Sequence, residues 1–337
     1  MATLAEVAAQ AGVSPSAVSR YLNGRVELPP ATALRIDAAV ARLNYRPNAL
    51  ARRLSTGKTD VIGLVTPDIG SHFFGAMAAA VEAEARSTGL SINVTATGGV
   101  YKNEVEALRA IRDRFVDGVI ISVLSPDKSG RLARSISETG PVVLVDENVP
   151  GAKVPRILYE NELGGYLATR YLLEAGHRRI AFVGGPEGLS TTEERLEGYR
   201  RAMAEAGAVI DDRHVTFCAY DIDAGMERGL ELLQRPAPPT AVFAASDYIA
   251  FGVIKAARVV GVVVPGDLSV MGFGDFPFAP YVVPALSSVR VPVAEAGQLA
   301  VRTLRSMLRK DPVAPMVRLP VELVLRASVA SAEDWMI

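Results

Sequence analysis

The chain has 337 residues, 49% hydrophobic and 22% charged, with a formal net charge of −1. That balance excludes a disordered tail, a collagen-like repeat or a low-complexity polymer, and the length calls for more than one domain. The one cysteine, Cys218, excludes an internal disulfide framework; with no signal-peptide pattern and no apolar run of membrane length, a cytoplasmic protein without a membrane partner is expected.

Thr3 followed by Glu6 is a capping box, in which the threonine oxygen and the glutamate carboxylate each satisfy an orphan backbone N–H at a helix start. Leu4, Val7, Ala8 and Ala11 recur at helical spacing, and Gly12 supplies the positive φ that ends the helix. Val13 plugs the turn, Ser14 is a good N-cap, and Pro15 suits the first helical position, where its missing N–H costs nothing. The second helix runs to Leu22, with Ala17, Val18, Tyr21 and Leu22 inward and Ser16, Ser19, Arg20 and Asn23 presenting polar groups. Such a helix-turn-helix can read DNA: an arginine can bond guanine O6 and N7 in parallel, and short hydroxyls can reach phosphates or base edges. Helical hairpins of this kind also occur in proteins that never touch DNA. Charge separates the two readings, because residues 1–58 carry eight basic and three acidic side chains, a net +5 that leaves −6 for residues 59–337. A basic head on an acidic body fits phosphate binding by the head alone.

A third helix is expected from Pro30 to Leu43, with Leu34, Ile36, Val40 and Leu43 as its apolar contacts. In the following NYRPNALARRLSTGKTD, Asn48 can cap, Ala49 to Leu54 favour helix, and Gly57 can end it. A helix this short is marginal in water. Two readings stay open for it: a solvated linker, or a segment that orders on DNA with Leu54 wedged between base steps of the minor groove.

Beyond it, the apolar runs VIGLV, INVTA, GVIISV, VVLV, IAFVGG, AVFAAS and LSVMGF alternate with amphipathic helical stretches such as Phe74 to Thr88, Asn103 to Phe115 and Leu163 to Ala175. Continuous apolar strands alternating with helices predict parallel sheets covered on both faces, in two α/β layers. The RPAPPT stretch at 235–240 is a short connection between a helix and a strand.

Ligands of open parallel sheets lie outside the carboxyl ends of the strands. Asp68, Asp146, Asp221, Asp247 and Asp275 each follow an apolar run. Aspartate there is also a natural helix N-cap, the reading favoured for Asp68 and Asp221. Phe73, Phe74 and Tyr220 stand just past strand ends, where a ring can pack on the apolar face of a sugar or base. One ring of the Phe73–Phe74 pair is expected in the core and the other in a cleft.

Enzyme chemistry finds no site. Cys218 lies in an apolar segment, His72, His177 and His214 are scattered, and neither a metal-ligand spacing nor a nucleophile motif is present, so no catalytic residue, metal or cofactor is expected. Gly184-Gly185-Pro186 is a glycine turn without the pattern of a nucleotide-phosphate loop. A solute-binding receptor without a DNA role would share the body, and the basic head is the feature it would not need.

The segments AEVAAQAGVSPSAVSRYLNG, YRPNALARRLSTGKTDVIGLV and SDYIAFGVIKAARVVGVVVPGDLSVMGFGD resemble, in order and spacing, the lac/gal repressor family of bacterial transcription regulators, and the likeness covers essentially the whole chain. The resemblance implies an N-terminal all-α helix-turn-helix head plus hinge helix, joined to an α/β periplasmic-binding-protein-like body of two parallel-sheet subdomains. It places the DNA-binding domain at 1–46, the hinge helix and linker at 47–58, and the effector-binding and dimerisation domain at 59–337. Within that domain the first subdomain takes 59–158 and 290–319, the second 159–289 and 320–337. The implied function is a homodimeric, nucleoid-associated repressor that binds a palindromic operator and is controlled by a small sugar-like effector bound between the subdomains. The expected DNA contacts are Thr3, Ser14, Ser16, Ala17, Ser19, Arg20 and Asn23 in the head, and Asn48, Ala51, Arg52 and the intercalating Leu54 in the hinge. The expected effector contacts are Phe73, Phe74, Asp146, Arg195, Tyr220, Asp247 and Asp275, with Arg195 matching the family's effector arginine. Two departures stand out. Pro15-Ser16-Ala17 holds fewer hydroxyl or amide side chains than many members carry there, and Glu147 stands where many have arginine.

Overall fold

Local signals decide the head. The Thr3 hydroxyl oxygen accepts from the Glu6 N–H at 3.3 Å while a Glu6 carboxylate oxygen accepts from the Thr3 N–H at 2.7 Å, and helix α1 (Leu4–Ala11) ends on Gly12 at φ 65°. Helix α2 (Pro15–Leu22) starts after Ser14, whose hydroxyl accepts from the Ala17 N–H at 3.2 Å. Helix α3 (Pro30–Arg42) closes the unit over a core of Val7, Ala8, Ala11, Val18, Ile36 and Ala39. Leu34, expected among those contacts, is 68% exposed. It stands two residues before Ile36, about 200° around a helix from the face that Ile36, Ala39, Val40 and Leu43 share.

In this computed structural model the described residues are 2–22, 26–45, 58–113 and 116–331, in two units, Met1–Thr59 and Asp60–Ile337. Asn23 and the expected hinge contacts Asn48, Ala51, Arg52 and Leu54 lie outside the described residues.

The body holds two six-stranded sheets. The first comprises β1 (Val61–Thr66), β2 (Ser91–Ala96), β3 (Gly118–Ile121), β4 (Val142–Val145), β5 (Arg156–Tyr159) and β11 (Met316–Leu319), in the order β11-β5-β4-β3-β1-β2 with every pair parallel. The second comprises β6 (Ile180–Gly184), β7 (Val215–Phe217), β8 (Ala241–Ala244), β9 (Ser269–Gly274), β10 (Ser287–Arg290) and β12 (Glu322–Val324), in the order β12-β10-β9-β8-β6-β7. Its edge strand β12 runs antiparallel to β10, a departure from the all-parallel expectation. A short strand that follows a direct return from the other sheet has no helix to reverse it.

The helices of the first half are α4 (His72–Ser87), α5 (Tyr101–Asp113), α6 (Arg131–Glu138) and α11 (Val293–Leu308). Those of the second are α7 (Asn161–Glu174), α8 (Ser190–Glu205), α9 (Ile222–Leu233) and α10 (Asp247–Val260). One apolar cluster runs from Ile62, Leu64 and Ile120 through Tyr159 to Phe182, Phe243 and Phe273. Separate clusters fill the other face of each sheet, around Ile121 and Leu132 in one half and Val242 and Ile249 in the other. The chain passes between the sheets after Tyr159, after Arg290 and after Leu319. Near these passages Arg318 donates to the Tyr159 carbonyl at 3.1 Å and grips the Glu194 carboxylate with two bonds of 2.9 and 2.7 Å.

Helix pairs of the second half touch backbone to backbone. A Cβ at Gly165 on α7 would collide with the Arg195 carbonyl on α8, and one at Gly252 on α10 with the Ile222 carbonyl and Met226 N on α9. Overpacking of this kind costs about 1–3 kcal/mol, so Gly165→Ala is expected to lower the denaturation midpoint, with tryptophan-independent readout by calorimetry, and to displace Arg195 with its helix.

Candidate functional site

On the head, Ser14, Ser16 and Arg20 are exposed along α2, as is Thr3 at the start of α1, while Ala17 and Ser19 are half-buried. Ser14 and Ser16 place their hydroxyl oxygens 3.1 Å apart, and Arg20 Nε donates to the Ser16 carbonyl at 3.3 Å. The opposite side of α2 is anchored by Val18 in the core and by the Tyr21 hydroxyl, which donates to Asp37 at 3.0 Å. The helix therefore turns one guanidinium and two hydroxyls outward from a basic unit, with part of the hydroxyl capacity spent on capping.

In the body, the carboxyl ends of both sheets open onto one cavity. It encloses about 710 Å³, part of it open solvent at the mouth. Asp68, Leu124 and Asp146 reach it from beyond β1, β3 and β4, and Tyr220, Ser246 and Phe276 from beyond β7, β8 and β9. The starts of α4, α8 and α10 add Phe73 and Phe74, Thr191, and Tyr248.

Arg195 is buried in the wall. Its Nε donates to the Asn161 side-chain oxygen at 2.9 Å, its Nη1 to the Ala245 carbonyl at 2.7 Å, and its guanidinium lies 3.9 Å over the Phe273 ring. Two hydrogen bonds and a ring fix the plane of the group, leaving its other amino nitrogen for a ligand. Tyr220 hydrogen-bonds Thr192 through its hydroxyl at 3.0 Å, and its ring covers Gly185, where any Cβ would strike it. The glycine turn after β6 thus makes room for an aromatic wall.

Asp146 sits at φ 74°, and its Oδ1 is buried without a partner among the described residues. Burial pushes its carboxyl up to about 7, against the pull of Arg195 and with the help of Glu147. Glu147 crosses to the other half: its carboxylate accepts from the Ser190 N–H at 2.5 Å and from the Thr191 N–H and hydroxyl at 3.3 and 2.8 Å. Burial raises its pKa and those bonds oppose the rise.

Several expectations change. Phe73 and Phe74 both line the cavity, edge to face with centroids 5.1 Å apart, and of the two Phe74 is the buried one. Asp68 is not the cap of α4, which begins after Ser71; it closes a turn by accepting from the Gly70 N–H at 2.7 Å and lines the cavity. Asp221 is the cap of α9, accepting from the Ala224 N–H at 2.7 Å. Asp247, expected to touch the effector, is fully buried and turned away, accepting from the Ser288 hydroxyl at 2.5 Å and the Phe276 N–H at 2.6 Å. Its role here is to hold the turn that presents Phe276. Asp275 also stays outside the wall, drawn by Arg290 and Arg326 at 2.7 Å each. Burial pushes the Cys218 thiol up to about 12, which suits a core position and no nucleophile.

Asn161, Thr191, Ser246, Tyr248, Phe273 and Phe276 were not anticipated. Thr191 stands one helical turn before Arg195, and Ser246 and Tyr248 flank Asp247 at a strand end, so position relative to strand ends was the available signal.

A basic helix-turn-helix unit in one chain with a two-sheet, cleft-bearing body defines the class of ligand-responsive DNA-binding regulators. Residues 3–48 match the profile of the bacterial regulatory proteins of the lacI family, and residues 169–329 that of the periplasmic binding protein-like domain. The ribose operon repressor of Haemophilus influenzae is 34% identical over 333 residues, covering 98% of this chain and 99% of its own. The transcriptional regulator GalR of Escherichia coli is 37% identical over 308 residues, covering 89% and 88%. Among solved structures, a lac repressor dimer bound to operator and the anti-inducer ONPF is similar with a TM-score of 0.86 at 26% identity, covering 98% of this chain and 99% of that one. A complex of the transcriptional regulator CelR with cellobiose has a TM-score of 0.74 at 30% identity, covering 97% and 100%. The chain belongs to the lacI family of bacterial regulatory proteins, and it is a transcriptional regulator, not an enzyme.

A ligand hydroxyl bonds an ionised Asp146 carboxylate more strongly than the protonated acid, so binding favours loss of its proton. Affinity is therefore expected to be full above about pH 7 and to weaken as pH falls, by at most about tenfold per unit. Asp146→Asn should flatten that profile in titration calorimetry.

Proposed function

We propose that this protein is a cytoplasmic, nucleoid-associated repressor that binds a palindromic operator as a homodimer and releases or tightens it when a sugar-like molecule enters the cleft. The observation that carries the reading is the buried Arg195, held flat by Asn161, Ala245 and Phe273 and facing aromatic rings and carboxylates across one cavity. Polyols suit such a wall because each hydroxyl both donates and accepts while the ring faces pack on rings. Relatives named for ribose and found with cellobiose support the sugar class.

In this reading the two halves shift when ligand is held, and the shift is transmitted to the segment 47–58 next to the head. A ligand with different affinity for two arrangements supplies a coupling of about 1–3 kcal/mol. Ser16 and Arg20 read bases, the remaining polar head contacts meet phosphates, and Leu54 wedges the operator centre.

Operator binding followed by fluorescence anisotropy tests the DNA arm. Arg20→Ala should cost about 1–3 kcal/mol and relax preference at one base position; a uniform loss over all sequences would make it a phosphate contact. Arg195→Ala should leave operator affinity in the absence of ligand unchanged and abolish the response to the effector. A retained response would remove Arg195 from the binding site.

A further inference from the structure

The charged wall of the cleft is lopsided. Among the described residues, Asp68, Asp146 and Glu147 line it with Arg195 as the one cation, and behind Leu124 lies the fully buried Glu104, whose Oε1 accepts from the Leu124 N–H at 2.9 Å. Arg195 has already committed Nε and Nη1.

Helix starts would normally compensate, since their free N–H groups receive phosphates and carboxylates. Here the chain takes up part of that capacity itself. The Glu147 carboxylate occupies the start of α8 through Ser190 and Thr191, the Tyr248 hydroxyl takes the His72 N–H at 3.0 Å on α4, and the Ser246 hydroxyl takes the Tyr248 N–H at 3.2 Å on α10. At the first of these an internal carboxylate already sits where a ligand's anionic group would go.

We propose that the effector of this protein carries no anionic group, and that Glu147 is the specificity-determining residue that shuts out phosphorylated and acidic sugars. The inference rests on the sugar reading of the cleft and sharpens it. A neutral polyol or an amino sugar brings donors to the unpartnered Asp146 Oδ1. A phosphate or carboxylate oxygen only accepts, so it cannot serve an ionised Asp146 Oδ1, and it comes up against the carboxylates of Asp68 and Glu147 in a confined space.

The test uses the intact protein and a matched panel: ribose, glucose and galactose, glucosamine, ribose 5-phosphate, glucose 6-phosphate, gluconate and galacturonate, read by thermal shift and titration calorimetry. The expected result is binding by an uncharged or amino member, with its phosphorylated or acidic counterpart about tenfold or more weaker. Glu147→Gln should narrow that gap by admitting the anionic member. Tighter binding of a phosphate or acid than of its parent sugar in the native chain overturns the inference while the sugar reading stands. A gap unchanged in folded Glu147→Gln overturns the assignment to Glu147. No shift with any member overturns the sugar reading together with the inference, and the native-chain comparison holds whether or not the variant folds.

Discussion

A parallel sheet sends the carboxyl ends of its strands, and the starts of the helices that follow them, to a single edge. The cleft of this protein exists because two such edges face each other within one chain. That constraint explains why residues far apart in sequence, from Asp68 to Phe276, share one cavity. It also explains why the wall is rich in polar backbone. A strand end and a helix start both leave groups that must be paired, and the side chains of Glu147, Ser246 and Tyr248 do part of that pairing.

Within the cavity the decisive balance is between one guanidinium and several carboxylates. Arg195 is worth retaining in a buried wall because its bonds to Asn161 and Ala245 and its packing on Phe273 offset its loss of water. Asp146 has no such compensation at Oδ1, and burial raises its carboxyl to about 7. Unsatisfied capacity of this kind is tolerated where a ligand completes it.

Features governed by neighbours in sequence were legible from the residues alone. The Thr3–Glu6 box, the Gly12 turn and the Ser14 cap each depend on atoms within a few residues, and the alternation of apolar runs with helical stretches sufficed for the two-layer body. Misreadings arose where a distant partner decides. Asp247 and Asp221 look alike at their strand ends, but Ser288 and the Phe276 backbone claim Asp247 while Asp221 faces only its own helix. Leu34 is apolar yet lies about 200° around the helix from Ile36, so composition alone does not place it. Glu147 was visible as a departure from its family, yet its reach to Ser190 and Thr191 required the chain to be folded.

The ties of Arg318 bear on how the two halves can move. This side chain holds the carbonyl of Tyr159, beside the first crossing, and the carboxylate of Glu194 in the other half, and it lies one residue before the last strand position preceding the third crossing. A rotation whose axis runs through these crossings changes the Arg318 bonds little, whereas a sliding motion tears them apart. The Arg318 bonds thus lie where the halves join, so a rotation about the crossings strains them less than a slide of one half past the other.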